Sequence, residues 1–250
     1  MDRDLPETGV HRPDARTRWQ TRQLLFAAAL VLVGIPFGLL LHQVTQDGPL
    51  TELDERWAQW LHDRIANDGW EETILRVVSF TGQGVFLFAL VGLVVLWLWR
   101  RRARRLALFL AVVTAGGGLV NTIVKLAVGR PRPEFDEPIA TAFGKSFPSG
   151  HSMGSLVCYG ALLLVALPAI APRARRWAIA AAVLWVLAIG FTRLALGVHY
   201  VSDVLGGYVL GAAWLTGSVA LFESWRAERG RPRSDVVEDG LEPEEAAALS

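Results

Sequence analysis

The sequence predicts an all-α membrane protein with six transmembrane helices and one amphipathic helix at the bilayer interface. Three observations carry this. Hydrophobic residues make up 52% of the chain and are gathered into long blocks rather than dispersed. Most of the six uncharged blocks, at residues 23–41, 77–99, 106–124, 152–171, 177–192 and 204–222, reach the roughly 18 to 20 residues needed to cross about 30 Å of hydrocarbon. Most of the 25 Lys and Arg residues fall in segments 1–22, 100–105, 172–176 and 223–250, which alternate with the segments holding the rest. Backbone polar groups cannot go unpaired in lipid, so such blocks are helices rather than open sheet. The charge bias puts both termini in the cytoplasm and turns segments 42–76, 125–151 and 193–203 outward, the topology of a bacterial inner (plasma) membrane protein.

Taken in order, residues 1–22 are rich in charge and show no period that could bury a core, so they read as a mobile cytoplasmic arm. The first block lies behind this arm without a clear small-residue cleavage site, which makes it a retained helix rather than a secretory signal. Gly34 and Gly38 flank an expected kink at Pro36 and suit a tight helix contact. Next, Leu53, Trp57, Trp60, Leu61 and Ile65 recur at helical spacing while Asp54, Glu55, Asp63 and Arg64 take the other face. That is the pattern of an amphipathic helix on the outer leaflet, serving as a lid or in admitting lipid.

The second block ends in Trp97 and Trp99, which join Trp177 and Trp225 in a cytoplasmic aromatic belt. Arg100, Arg101, Arg102, Arg104 and Arg105 follow between two spans, where they anchor topology or meet anionic lipid. With charge arranged by topology and a net value of +1, no nucleic-acid partner is expected. Gly116, Gly117 and Gly118 in the third span, and Gly207 with Gly211 in the sixth, suit close helix packing. Cys158 in the fourth span is the single cysteine; it excludes an intramolecular disulfide and reads as a small buried apolar residue. The fifth block continues through Leu194, Ala195 and Leu196, so Arg193 is expected near the membrane surface with its side chain reaching water. Residues 223–250 form a second mobile cytoplasmic tail, leaving 23–222 as one membrane domain.

Segment 125–151 differs from the other loops. It carries Lys125, Arg130, Arg132 and Lys145 together with Pro131, Pro133, Pro138 and Pro148, which stiffen it against helix formation. Three clusters then stand at the outward ends of spans three to six: Lys125-x6-Arg132-Pro133, Pro148-Ser149-Gly150-His151, and Arg193-x5-His199-x3-Asp203. One lysine or arginine at a helix end is ordinarily an anchor, and one histidine is ordinarily satisfied by a neighbour. Three cations, two histidines and a carboxylate at one depth of one face are not covered by those explanations.

Guanidinium and ammonium groups suit the non-bridging oxygens of a phosphate and the charge that spreads over them in the transition state. Ser149 can cap the fourth span while free N–H groups at its start point at the same anion, and Gly150 lets the backbone approach. His199 and Asp203, four residues apart, share one face of a helix. The carboxylate can hold one imidazole nitrogen as N–H and leave the other bare as a nucleophile. His151 is left as the acid that protonates the departing oxygen and later as the base that activates water.

These three clusters resemble the signature motifs of the type-2 phosphatidate phosphatase superfamily, which includes lipid phosphate phosphatases, undecaprenyl-diphosphate phosphatases and vanadium haloperoxidases. The resemblance covers about residues 75–222. One departure is the third motif, which begins Thr192-Arg193 where the family commonly has Ser-Arg. The resemblance implies a lipid phosphate substrate, His199 as the phosphorylated nucleophile, Asp203 as its orienter and His151 as acid and base. It places Lys125, Arg132, Ser149, Gly150 and Arg193 in the phosphate cradle. The implied enzyme is a metal-independent phosphatase without a cofactor, acting on undecaprenyl diphosphate, phosphatidate or phosphatidylglycerol phosphate. Glu134, Asp136 and Glu137 read as solvated loop rather than metal ligands. His11, His42 and His62 have no cationic companions and receive no role. Two rival readings stay open: a vanadate-dependent haloperoxidase-like activity, and a non-enzymatic membrane transporter or scaffold.

Overall fold

The computed structural model describes residues 34–46, 48–65, 69–229, 240–242 and 245. The expected N-terminal arm and residues 23–33 of the first block lie outside these. Among the described residues the structure is helical, without a strand. Helix α1 occupies residues 34–45, followed by α2 (Pro49–Ile65), α3 (Gly69–Phe80), α4 (Gly84–Arg100), α5 (Arg104–Val128) and α6 (Gly150–Ala166). A short 3₁₀ turn, Leu167–Ala169, leads to α7 (Pro172–Ala195) and α8 (Val201–Glu228).

Helices α5, α6 with its 3₁₀ turn, α7 and α8 are each long and apolar enough to cross a membrane, and the bent pair α3 and α4 is a fifth candidate. They answer blocks two to six. Large apolar side chains such as Val85, Leu126 and Leu221 stand exposed on their outer faces, the surface that lipid rather than water would cover.

Block two is not the single uninterrupted helix expected over 77–99. The chain breaks at residues 81–83 and bends by 44°, with α3 starting back at Gly69. Gly82 explains the break: a Cβ there would lie 2.4 Å from Ile189 Cγ2 and 3.1 Å from His151 Cδ2. Only a residue without a side chain passes between α7 and α6 at this point. The carbonyl released at Thr81 accepts from the Tyr159 hydroxyl at 2.9 Å, so the break leaves no buried acceptor stranded.

At the centre of the bundle lies α6, which packs most extensively on α8 and also meets α4, α5 and α7. Leu87 and Val91 of α4, Leu106, Leu110 and Val113 of α5, and Met153, Val157 and Ala161 of α6 form the buried core. The α6–α8 contact depends on Gly207 and Gly211, as the small-residue spacing predicts. A Cβ on Gly207 would sit 2.7 Å from the Ser149 carbonyl oxygen, and one on Gly211 would sit 3.2 Å from that of Met153. Gly116 and Gly117 similarly admit Trp214, whose indole N–H donates to Val113 O at 2.8 Å. Among the described residues, a Cβ on Gly34 or Gly38 meets nothing within 4 Å.

Three further expectations are corrected. Helix α2 does not turn Asp54 to solvent. Asp54, Ala58 and Leu61 form its buried face while Leu53, Trp57 and Trp60 are exposed, because Asp54 finds charged and hydroxyl partners inside. Arg193 does not reach water; it is buried and donates to the Ser79 hydroxyl of α3, which packs on α7. The described residues of the C-terminal segment do pack. Helix α8 runs six residues past the end of block six, to Glu228, and Leu241 and Glu242 are fully buried. Leu241 N donates to Leu164 O at 3.3 Å, and Glu242 pairs with Arg226 at 3.0 Å and Arg105 at 3.6 Å.

Candidate active site

Because consecutive helices run in opposite senses, the C-terminal ends of α5 and α7 and the N-terminal ends of α6 and α8 share one end of the bundle. All three sequence clusters stand there, and α2 packs on α7 and α8 beside them. Gly129, at φ +68°, ends α5 and donates its N–H to Lys125 O at 3.0 Å, a left-handed stop suited to glycine. Pro131 and Pro133 then keep the chain out of helix as far as Ser149. Ser149 caps α6, its hydroxyl accepting from Ser152 N at 3.5 Å, and its own N–H donates to Asp203 O at 2.9 Å. Two cluster members are thereby joined through backbone alone.

Each oxygen of Asp203 is held. Oδ2 accepts from His199 Nδ1 at 3.2 Å, from Tyr200 N at 2.8 Å and from the Ser146 hydroxyl. Oδ1 accepts from Arg130 Nη1 at 2.8 Å. The other imidazole nitrogen, His199 Nε2, lies 3.1 Å from Arg132 Nη1. A guanidinium has no acceptor, so Nε2 carries the lone pair and Nδ1 carries the proton. This is the tautomer of an oriented nucleophile.

Burial pushes the His199 imidazole down to about 4. The hydrogen bond and charge of Asp203 oppose that fall, while Arg132 and Lys125 add to it. The ring is therefore neutral around pH 7.

The cations surround this histidine. Arg132 spreads its donors over the carbonyls of Val198, Gly144, Phe143 and Lys145, at 2.6 to 3.2 Å. Lys125 Nζ donates to Lys145 O at 2.7 Å and Ser146 O at 3.2 Å. Its Cε lies 3.9 Å from the position a Gly150 Cβ would take. Electrostatic interaction reaches His151 from Arg193, His199, Arg132 and Lys125. The fold thus gathers His151, His199, Asp203, Lys125, Arg132, Ser149, Gly150 and Arg193 at one end of the bundle. Thr192, the departure from the family motif, turns its hydroxyl to Ile189 O at 2.6 Å.

Sequence reasoning missed five residues: Ser146 on Asp203, Ser79 on Arg193, Gly82 against His151, and the pair Asp54 and Ser202 behind Arg130. In the sequence Arg130 reads only as one cation of a basic loop. Asp54 could have been found from its place at helical spacing with Ala58 and Leu61. Ser79 and Ser146 carried no signal, since a lone serine near a helix end has many uses.

Comparison with known proteins assigns the family. Residues 106–227 match the PAP2 superfamily. The chain is 32% identical over 145 residues to phosphatidylglycerophosphatase B of Bacillus subtilis (strain 168), spanning 57% of this chain and 70% of that protein. It is 30% identical over 141 residues to an undecaprenyl-diphosphatase of the same organism, spanning 54% and 67%. Over 230 residues it is 29% identical to a lipid A 1-phosphatase of Rhizobium johnstonii, spanning 85% and 83%. The crystal structure of a transmembrane PAP2-type phosphatidylglycerolphosphate phosphatase from Bacillus subtilis superposes with a TM-score of 0.70 at 24% identity, covering 78% of this chain and 96% of that one.

Proposed function

We propose, from the premise that this chain belongs to the PAP2 superfamily, that it is a membrane phosphatase hydrolysing a lipid phosphomonoester or terminal lipid diphosphate through a phosphohistidine. The observation that carries this reading is His199, held by Asp203 at Nδ1, with its Nε2 lone pair turned toward Arg132 and the cationic cluster.

In the first step Nε2 attacks phosphorus in line with the lipid oxygen. The P–O bond breaks, and His151 gives its proton to the departing oxygen. Asp203 stabilises the positive charge left on the imidazole. In the second step His151 takes a proton from water, the water oxygen attacks phosphorus, and the P–N bond breaks to release inorganic phosphate. Lys125, Arg132, Arg193 and the first N–H groups of α6 neutralise the equatorial oxygens throughout. Among the described residues no three His, Cys, Asp or Glu side chains are grouped to hold a metal ion; in the proposed mechanism the fixed cations do the work of charge neutralisation.

The proposed setting is the inner membrane, with six spans, both termini cytoplasmic, and the site on the extracytoplasmic face. Helix α2 lies along the outer leaflet with Trp57 and Trp60 toward lipid. Residues 223–250 stay on the cytoplasmic side, with Leu241 and Glu242 docked on the bundle. The apolar helices and the named relatives favour a lipid phosphate over the halide oxidation of a haloperoxidase. The test is phosphate release by purified protein in detergent from undecaprenyl diphosphate, phosphatidate and phosphatidylglycerol phosphate. Release from at least one, lost in His199→Ala, supports the reading; no release from any overturns it.

A further inference from the structure

Behind Asp203 lies a second layer of buried charge that the mechanism does not use. Arg130, on the segment between α5 and α6, bridges two carboxylates: Nη1 donates to Asp203 Oδ1 at 2.8 Å and Nη2 to Asp54 Oδ2 at 3.0 Å. Asp54 in turn accepts from Ser202 N at 3.0 Å and from the Ser202 hydroxyl. Arg130 Nη1 also reaches Ser202 Oγ at 2.7 Å, and its guanidinium stacks over the Tyr200 ring at 4.2 Å. Exposure is 1% for Asp54, 7% for Arg130, and 0% for Ser202 and Asp203.

A buried ion triad of this kind is a poor source of stability, because desolvation offsets most of its attraction. Its geometry has a clearer use. The donors on Asp203 Oδ2 leave rotation of the carboxylate about that oxygen open, and Arg130 closes it by holding Oδ1. Arg130 also stands between Lys125 and Arg132 in the chain, so fixing it fixes where both cradle cations emerge. Asp54, delivered by α2, is what holds Arg130 in turn.

We propose, resting on the phosphatase reading, that Asp54 and Arg130 are positioning residues that keep Asp203, and through it His199, aligned and electrostatically balanced for attack. Neither touches the reacting atoms. His199 faces Asp203 of α8, Arg132 and Ser146 from the connecting segment, and Lys125 of α5. His151 of α6, itself under the charge of Arg193 of α7, interacts with it, and Arg130, with Tyr200 and Asp54 of α2, forms the layer behind Asp203. Removing Asp54 makes this environment one charge more positive and disfavours a proton on His199. Removing Arg130 makes it one charge more negative and favours that proton.

The experiment measures kcat, KM and the acid limb of the pH profile for the full chain in detergent, with p-nitrophenyl phosphate as the probe. Asp54→Asn lowers kcat about 10-fold with KM little changed and moves the acid limb to lower pH. Arg130→Gln lowers kcat at least as much and moves the limb to higher pH. Arg130→Lys keeps the charge but cannot fork between two carboxylates, so kcat falls and the limb stays. Opposite shifts are what a merely structural role would not produce. The proposal is overturned if kcat and limb are those of the parent in all three, if the limbs of Asp54→Asn and Arg130→Gln move the same way, or if every variant simply loses the folded state. A parent protein that releases no phosphate from any lipid defeats the phosphatase reading instead; an active parent silenced by His199→Gln leaves only the positioning role at stake.

Discussion

Arg132 Nη1 lies 3.1 Å from His199 Nε2, and because a guanidinium can only donate, this contact identifies the nitrogen whose lone pair serves for attack. His199→Gln therefore abolishes turnover, by about 10³-fold or more, and an alkaline quench that preserves the acid-labile, alkali-stable phosphohistidine traps no label. His151→Gln behaves differently. With p-nitrophenyl phosphate, whose leaving group needs no acid, the first step survives and the second stalls. A burst of nitrophenol with accumulation of labelled protein is expected, and its absence would remove His151 from the second step.

Acid weakens the fold through His199. Its imidazole titrates at about 4 in the native protein, against about 6.5 in an unfolded chain. Between those values the unfolded chain binds the additional proton, so this contribution to stability is complete above about 6.5 and is lost as pH falls toward 4. Thermal midpoints measured from pH 7 to 4 should decline less steeply in His199→Gln than in the parent.

Gly82→Ala places a methyl group 2.4 Å from Ile189 Cγ2 and 3.1 Å from His151 Cδ2. Ile189 is branched and fully buried and cannot swing aside. Destabilisation of about 1 to 3 kcal/mol is expected, together with a fall in turnover larger than that of a Gly84→Ala control, whose Cβ meets nothing within 4 Å. Thermal unfolding and phosphate release on the two variants decide this.

Glu242→Gln tests the docked C-terminal segment. Glu242 pairs with Arg226 and Arg105 at the bundle end opposite the candidate site. Losing its charge beside buried Arg226 lowers stability by about 1 to 3 kcal/mol while kcat at permissive temperature stays within about twofold of the parent, because the pair lies far from the reacting groups. An unchanged thermal midpoint would show that the segment does not stay docked.

Turnover should survive exhaustive treatment with a chelator, because the proposed cradle is built from Lys125, Arg132 and Arg193. Phosphate release that stops on chelation and returns with Mg²⁺ would overturn the metal-free mechanism.

What could be read in advance followed the physics of each signal. Span positions came from apolar block length, which lipid imposes locally on each segment, and blocks three to six correspond to α5 to α8 within a few residues. The candidate site was legible for a similar reason: Lys125, Arg132, His151, Arg193, His199 and Asp203 are costly residues at helix ends, and His199 with Asp203 share one helical face. The broken second span was not legible, because Gly82 interrupts α3 and α4 through its approach to Ile189 and His151, residues more than sixty positions away.

The sequence by itself determined the helical class, the places of blocks three to six and the identity of the charged groups, since these depend on the solvent around each short segment and on side-chain chemistry. Only the tertiary structure decided which nitrogen of His199 is bare, that Arg193 leans on Ser79, and that Asp54 stands behind Arg130. Those are matters of who meets whom across 67, 114 and 76 positions of chain, and a hydrogen bond tied by packing leaves no periodic trace in the sequence that folds to make it.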